Sequence, residues 1–348
     1  MRYYKKPQIK YIESLPEKID ILSEGEQALI IYDILLSEIP GFKNWLIQFE
    51  HSYGVMAGEA LKSIKSFPEH FFAISEKIPE VSKKALTVVA VGGGSIGDFA
   101  GFFASVYKRG VQLVQVPTTW LAAIDSAHGG KNALNSTVAK NQIGTFYFPE
   151  SVFIIKSIIA HLPEDQIMSG FGEIIKTAMI AGEPLWSKLP AASESNIDKL
   201  WDIMPEVVDQ KYKIVAEDPF ENSSVRQVLN LGHTVGHVLE KRFDLPHGEA
   251  VAQGLHFSLD WSFEKKYLVK LNYETMKNYL SSYFPCIKEK VAEHLTKETT
   301  LKLLLTDKKL NLDKKLNFVF LKDIGQPEVE AVNVVDIISK LHQHSWIT

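Results

Sequence analysis

The 348-residue sequence has almost no cysteine. Cys286 stands alone, so no disulfide can close within the chain and a zinc site built of thiolates is excluded. A metal, if one is held, must use His, Asp or Glu. Basic charge is not in excess: 38 Lys and Arg against 42 Asp and Glu give a formal net charge of −4. Nucleic-acid binding is therefore not expected, and any affinity for phosphate has to come from a local cluster. No apolar run reaches the roughly 18 residues that a membrane span needs. The start, Met1-Arg2-Tyr3-Tyr4-Lys5-Lys6-Pro7, lacks the apolar core of a signal peptide. Repeats and low-complexity tracts are missing too. These absences set the expectation of a cytoplasmic protein that binds neither nucleic acid nor membrane. Its length and its 45% hydrophobic residues suit two globular domains.

The first half alternates strand-like and helix-like segments. Ala28–Tyr32 and Trp45–Phe49 are short apolar runs, and 86–91 (LTVVAV) and 111–116 (VQLVQV) are rich in β-branched residues. A glycine turn and a helical pattern over Ile96–Tyr107 separate the last two, which reads as a βαβ unit of a parallel sheet buried on both faces. After about residue 155 helical periodicity dominates, in 165–181, 197–215, 225–243 and 250–266, with one late strand-like run at 316–321. The reading is an α/β nucleotide-type domain over 1–158 and a mainly α-helical domain over 159–348, with the cleft between them as the expected site.

Three groups of residues carry chemistry. Gly92-Gly93-Gly94-Ser95-Ile96-Gly97-Asp98 joins a strand to a helix, where close backbone approach and free N–H groups favour a phosphate. It is not the usual dinucleotide fingerprint with an acidic residue some 20 positions on. Arg226, Asn230, His233 and His237 fall on one face of a helix expected over 225–243, and Gly232 and Gly236 sit mid-helix, where something must approach closely. His247 follows soon after, and Glu173 and Lys176 share a face further upstream. A carboxylate with two or three imidazoles makes a zinc-type set with positions left open for substrate. His51, His70, His161 and His256 are read as structural. The third group is the stretch 117–132 with Lys140 and Asn141, where lysines among glycines suit phosphate binding.

Together the blocks GGGSIGDFAGFFASVYKRGV, QVPTTWLAAIDSAHGGKNALN, KNQIGTFYFP, SGFGEIIK, LNLGHTVGHVLE and HGEAV resemble the 3-dehydroquinate synthase family of sugar-phosphate cyclases, over roughly residues 55 to 320. The resemblance implies a Rossmann-like NAD-binding domain, a mainly helical metal- and substrate-binding domain, a homodimer and one divalent metal, usually zinc. It implies metal ligation by Glu173, His233 and His247. NAD contacts map to Glu59, Lys62, Gly93, Gly94, Ser95, Asp98, Thr118 and Thr119. Catalytic roles map to Asp125, Lys176, Lys211 and His237. Substrate contacts map to Lys131, Lys140, Asn141, Arg226, Asn230 and Lys308 (or Lys309), and to Arg109, which would reach the phosphate across the dimer.

The chain departs from the family pattern at Asn132, at Asp218-Pro219, by one extra residue before Arg226, and in a short segment from His237 to His247. The implied activity is that of a lyase of the shikimate pathway, which leads through chorismate to the aromatic amino acids. It would convert 3-deoxy-D-arabino-heptulosonate 7-phosphate to 3-dehydroquinate and phosphate by transient oxidation with NAD, elimination, re-reduction and aldol closure. Two alternatives stand beside it. One is a cyclase making a cyclitol precursor from sedoheptulose 7-phosphate, which would not need the planar fork of Arg226 for a carboxylate. The other is a metal-dependent polyol dehydrogenase, which would not need so many phosphate-directed lysines.

Overall fold

A computed structural model describes residues 4–78, 82–191, 197–307 and 315–348. The chain divides into two compact units, residues 1–163 and 164–348. The short helix Lys156–Ile159 belongs to the first: Ile158 lies in its core, and the Trp120 indole N–H donates to the Ile159 carbonyl at 2.9 Å.

The first unit is built on strands β1 (Gln8–Ile12), β2 (Gln27–Asp33), β3 (His51–Val55), β4 (Leu86–Gly92), β5 (Gln112–Pro117) and β8 (Ser151–Ile155). They form one sheet in the order β1-β8-β5-β4-β2-β3, and every pairing is parallel. All seven residues of β4 are buried, as its unbroken apolar run requires. Alternate residues serve opposite faces. Leu29, Ile31, Val88 and Ala90 pack with Ile96, Phe99 and Phe103 of the helix Gly94–Val106. Ile30, Val89 and Val91 pack on the other side with Phe42, Trp45 and Phe153. The apolar run at 45–49 is thus no strand. A left-handed Gly41 (φ 84°) opens the helix Phe42–Leu46, and this puts Phe42 and Trp45 into the core. A separate hairpin, β6 (Lys131–Leu134) with β7 (Ile143–Phe146), lies beside the Gly94 helix.

The second unit is mainly helical. Its long helices are Glu164–Ala181, Ile197–Glu217, His233–Phe243, His247–Glu264 and Lys270–Tyr283. The strand-like run at 316–321 lies in β9 (Lys315–Asp323), which pairs antiparallel with β10 (Gln326–Asn333). Phe318 and Phe320 of β9 pack against Phe257 and Trp261 of the His247 helix.

His256, read as structural, is fully buried, with its Nε2–H donating to the Phe284 carbonyl at 2.7 Å. Burial and the nearby Lys277 charge lower its pKa to about 4. The unfolded chain binds this proton below about pH 6.5 and the folded chain only below about 4, so stability falls as pH drops through that window. The full effect is about 3 kcal/mol. Denaturant titrations at pH 7 and pH 4.5 will show a larger loss for the wild type than for His256→Gln. Equal losses would contradict this reading.

Candidate active site

In the first unit, Gly93 caps the Gly94 helix in extended conformation at the carboxyl end of β4. The first N–H groups of a helix have no intrahelical acceptor and favour an anion. Small residues are needed here. A Cβ on Gly92 would meet Ile96 at 2.4 Å, one on Gly93 would meet Thr119 at 3.3 Å, and one on Gly94 would meet Ser126 at 3.1 Å. Thr118 and Thr119 follow β5, and the Thr118 N–H donates to the Gly92 carbonyl at 3.0 Å. Ser95 Oγ accepts from the Gly58 N–H at 2.9 Å, which ties the loop carrying Glu59 and Lys62 to the same turn.

Lys62 is buried, and its Nζ lies 2.6 Å from both Asp98 Oδ2 and Asn141 Oδ1. Burial raises the Asp98 carboxyl above its usual range, against the pull of Lys62. The structure thus brings Glu59, Lys62, Ser95, Asp98, Lys140 and Asn141 together, with Lys140 Nζ 3.9 Å from Glu59. Asp125 lies in the π-helical turn Ala122–Ser126 and Lys131 opens β6. Arg109 is exposed, in a left-handed turn (φ 61°) that ends the Gly94 helix segment. The departure at Asn132 is structural. Its buried amide donates to the carbonyls of Gly130 and Tyr147, both at 2.9 Å, and its Oδ1 fills the space over Gly101.

In the second unit, the stretch 225–243 is not one helix. A 3-10 turn, Val225–Asn230, is followed by Gly232 in left-handed conformation (φ 79°), and only then does the His233 helix begin. Arg226 and Asn230 therefore do not share a helix face with His233 and His237. Gly232 is a helix cap rather than a mid-helix glycine. What approaches closely is the backbone of the His247 helix: a Cβ on Gly232 would meet the Val251 carbonyl at 2.8 Å, and one on Gly236 the Ala250 carbonyl at 2.9 Å. The same helix crosses the Glu164 helix backbone to backbone. A Cβ on Gly248 would lie 1.7 Å from the Ser169 carbonyl, and one on Gly172 would lie 2.2 Å from the Gly248 carbonyl. Each of Glu173, His233, His237 and His247 is thus next to a glycine at a helix crossing.

These crossings gather the three expected ligands. Nε2 of His233 and Nε2 of His247 each lie 3.4 Å from Glu173 Oε1. Donor atoms from the three residues fall within 4.8 Å of one another. His233 Nδ1 is 3.2 Å from the Leu231 carbonyl and His247 Nδ1 is 3.0 Å from Glu240 Oε2. A carbonyl and a carboxylate accept, so both Nδ1 atoms carry the proton and each ring turns Nε2 toward Glu173. A hydrogen bond from the other ring nitrogen orients metal-binding imidazoles in this way. Both Glu173 oxygens are buried: Oε2 is paired with the Lys176 ammonium, while Oε1 faces the two imidazole Nε2 atoms at 3.4 Å with no hydrogen bond of normal length. A cation at the convergence would satisfy Oε1 and both Nε2 atoms, so the donor set fits a divalent metal.

Burial favours the neutral form of Glu173, but the Lys176 ammonium and the charged, hydrogen-bonding His247 hold its carboxyl well below the usual range. Burial and Lys176 keep His233 neutral, which suits a ligand. Burial also opposes charge on His247, yet the carboxylates on its two ring nitrogens raise it to about 10. A second grouping, His237 with Glu240 and His247, shares one imidazole with the first. Its carboxylate already accepts from His247.

Lys176 and Lys211 are buried, and so is Arg226. The Asp218-Pro219 departure holds Arg226. Asp218 accepts from the N–H groups of Asn222 and Ser223, and Arg226 Nη1 donates to the Pro219 carbonyl at 3.0 Å. Lys308 and Lys309 lie outside the described residues. Reasoning from sequence did not single out Glu240, although its place one turn after His237 puts it on the imidazole face.

Known proteins are similar to this chain over most of its length. The models named 3-dehydroquinate synthase N-terminal and C-terminal match residues 52–169 and 170–310. A 3-dehydroquinate synthase of Bacillus cereus is 39% identical over 295 residues, covering 82% of this chain and 77% of that protein. The crystal structure of a 2-deoxy-scyllo-inosose synthase complexed with carbaglucose-6-phosphate, NAD+ and Co2+ shares the fold, at 23% identity and TM-score 0.81 over 96% of each chain. So does a 2-epi-5-epi-valiolone synthase from Streptomyces hygroscopicus with NAD+ and Zn2+ bound, at 20% identity and TM-score 0.84 over 99% of this chain and 98% of that one. No helix among the described residues is long and apolar enough to cross a membrane. The chain belongs to the 3-dehydroquinate synthase family.

Proposed function

We propose that the protein converts 3-deoxy-D-arabino-heptulosonate 7-phosphate into 3-dehydroquinate and inorganic phosphate, with NAD held on the first unit and one divalent metal, zinc or cobalt, on the second. The observation that carries this reading is the convergence of buried Glu173 with half-buried His233 and His247, whose Nδ1 protons are both engaged and whose Nε2 atoms both face Glu173 Oε1. It occurs in a chain whose relatives bear the name of this activity.

When bound, NAD takes up and returns one hydride while the metal acts as a Lewis acid on the reacting hydroxyl. Glu173, His233 and His247 hold the metal. The N–H groups that open the Gly94 helix, together with Thr118, Thr119 and the Glu59–Lys62–Asp98 group, hold the dinucleotide. Lys131, Lys140 and Asn141 donate charge-assisted or amide hydrogen bonds to the substrate phosphate. Exposed Arg109 adds a guanidinium to the phosphate of a second copy in a homodimer. Arg226, already fixed by the Pro219 carbonyl, offers its planar fork to the substrate carboxylate, and Asn230 offers an amide to the same substrate. Lys176, Lys211, His237 and Asp125 orient hydroxyls and carry protons between substrate oxygens.

The carboxylate role separates this reading from a cyclase acting on a neutral sugar phosphate. Arg226→Ala will raise KM for the heptulosonate phosphate roughly 10- to 100-fold, the range for losing a charged hydrogen-bond pair. The NAD dissociation constant will stay within about twofold. Equal loss for both ligands would remove Arg226 from the carboxylate site.

A further inference from the structure

We propose that Asn135 is a positioning residue that holds the cofactor-facing loop 58–64 and the phosphate-facing residues Lys140 and Asn141 in one register. The inference rests on the roles proposed above for Glu59, Lys62 and Asn141. Asn135 itself belongs to none of the ligand-binding groups.

Its backbone fixes the loop. The Asn135 N–H donates to the Lys62 carbonyl at 2.6 Å, and its own carbonyl accepts from the Ile64 N–H at 3.0 Å. The side chain works in both directions. Nδ2 donates to Glu59 Oε2 at 2.8 Å, and Oδ1 accepts from the Asn141 N–H at 2.9 Å. Asn141 closes the ring through its own Oδ1, which accepts from Lys62 Nζ at 2.6 Å.

Asn141 sits at φ 56°, a left-handed conformation that costs free energy and that Asn tolerates best after Gly. The bond from its N–H to Asn135 offsets that cost and sets where the Asn141 side chain can reach. An amide suits position 135 because it donates to a carboxylate and accepts from an N–H at once. Aspartate there would keep the acceptor but set a second carboxylate against Glu59. Since the ring joins proposed NAD contacts to proposed phosphate contacts, losing Asn135 disturbs both ligands together, although it touches neither.

The test uses the full-length metal-loaded protein with Asn135→Asp, the milder Asn135→Ala, Glu59→Gln and the double variant. The readouts are the NAD dissociation constant, KM for the heptulosonate phosphate, the thermal midpoint, and hydrogen exchange of the amides over 136–142. Asn135→Asp is expected to weaken NAD binding and raise KM, each roughly tenfold, as for a lost charged hydrogen bond. Exchange over 136–142 will quicken while the thermal midpoint barely moves. Asn135→Ala will weaken both ligands less, since it sets no carboxylate against Glu59, but it will quicken exchange at Asn141 more, since it removes the acceptor that aspartate keeps. In the Glu59→Gln background the Asn135→Asp penalty will shrink, because the glutamine amide can donate to the new carboxylate. Unchanged exchange, or an equal penalty in both backgrounds, would overturn the role of Asn135. If the wild type bound no NAD, the proposed function would fall, and the exchange comparison would still decide this point.

Discussion

Gly248→Ala abolishes tight metal binding although it alters no ligand: that is the expected result. The new methyl would lie 1.7 Å from the Ser169 carbonyl, a backbone atom that cannot rotate away. Ordinary carbon–oxygen contact needs well over 3 Å, so the His247 and Glu164 helices must separate by more than an ångström. Overpacking of this kind costs about 1–3 kcal/mol, and a backbone clash belongs at the upper end. The crossing point immediately adjoins His247 and lies one turn from Glu173, so the separation pulls the two ligands apart. Metal affinity should fall roughly 100-fold or more, the upper range for disturbing the support of a ligand. Competition with a chromogenic chelator measures the affinity, and thermal unfolding of the metal-free protein measures the cost to the fold. Wild-type affinity in Gly248→Ala would mean that the crossing does not set the site.

Glu173→Gln should have the larger effect on activity and a separate effect on stability. Glutamine keeps the size of the side chain but removes the charge that two imidazoles and one ammonium share. Bound metal and turnover should both be lost. The metal-free protein should also be destabilised, because Lys176 is buried with 2% of its side chain exposed and Glu173 is its carboxylate partner. Breaking such a pair from one side costs about 3–5 kcal/mol. Adding Lys176→Met should restore much of that stability without restoring metal. If Glu173→Gln retained stoichiometric metal, measured by atomic emission on the purified protein, the ligand set would be wrong.

The parts of this architecture legible in the sequence were those written in local pattern. The unbroken apolar run of β4, the glycine turn after it and the periodicity of 165–181 and 197–215 each need only neighbouring residues to be read. Histidine spacing pointed to His233 and His237 as a pair, whereas the group around Glu173 takes His233 and His247, the set that the family resemblance implies. What the sequence hid depends on partners far along the chain. Gly232 fits a helical pattern, yet the adjacent Val251 and Leu255 backbone and side chain, together with its left-handed φ, make it a break. Trp45 and Phe49 look like strand residues, but Gly41 starts a helix that delivers Trp45 to the core. Asn135 and Glu240 carry no pattern of their own. Their importance arises from bonds to Asn141 and Glu59 and to His247, which a single sequence does not display.

The central claim is that the chain eliminates phosphate from the acidic heptulosonate substrate with no net redox change. The direct measurement is phosphate release from 3-deoxy-D-arabino-heptulosonate 7-phosphate with metal-loaded protein and catalytic NAD, following NADH absorbance in parallel and identifying the carbocyclic product by mass and NMR. The account predicts many phosphates released per NAD, 3-dehydroquinate as the product, and no accumulation of NADH. NADH formed without phosphate release, or phosphate released from sedoheptulose 7-phosphate but not from the acid, would contradict it.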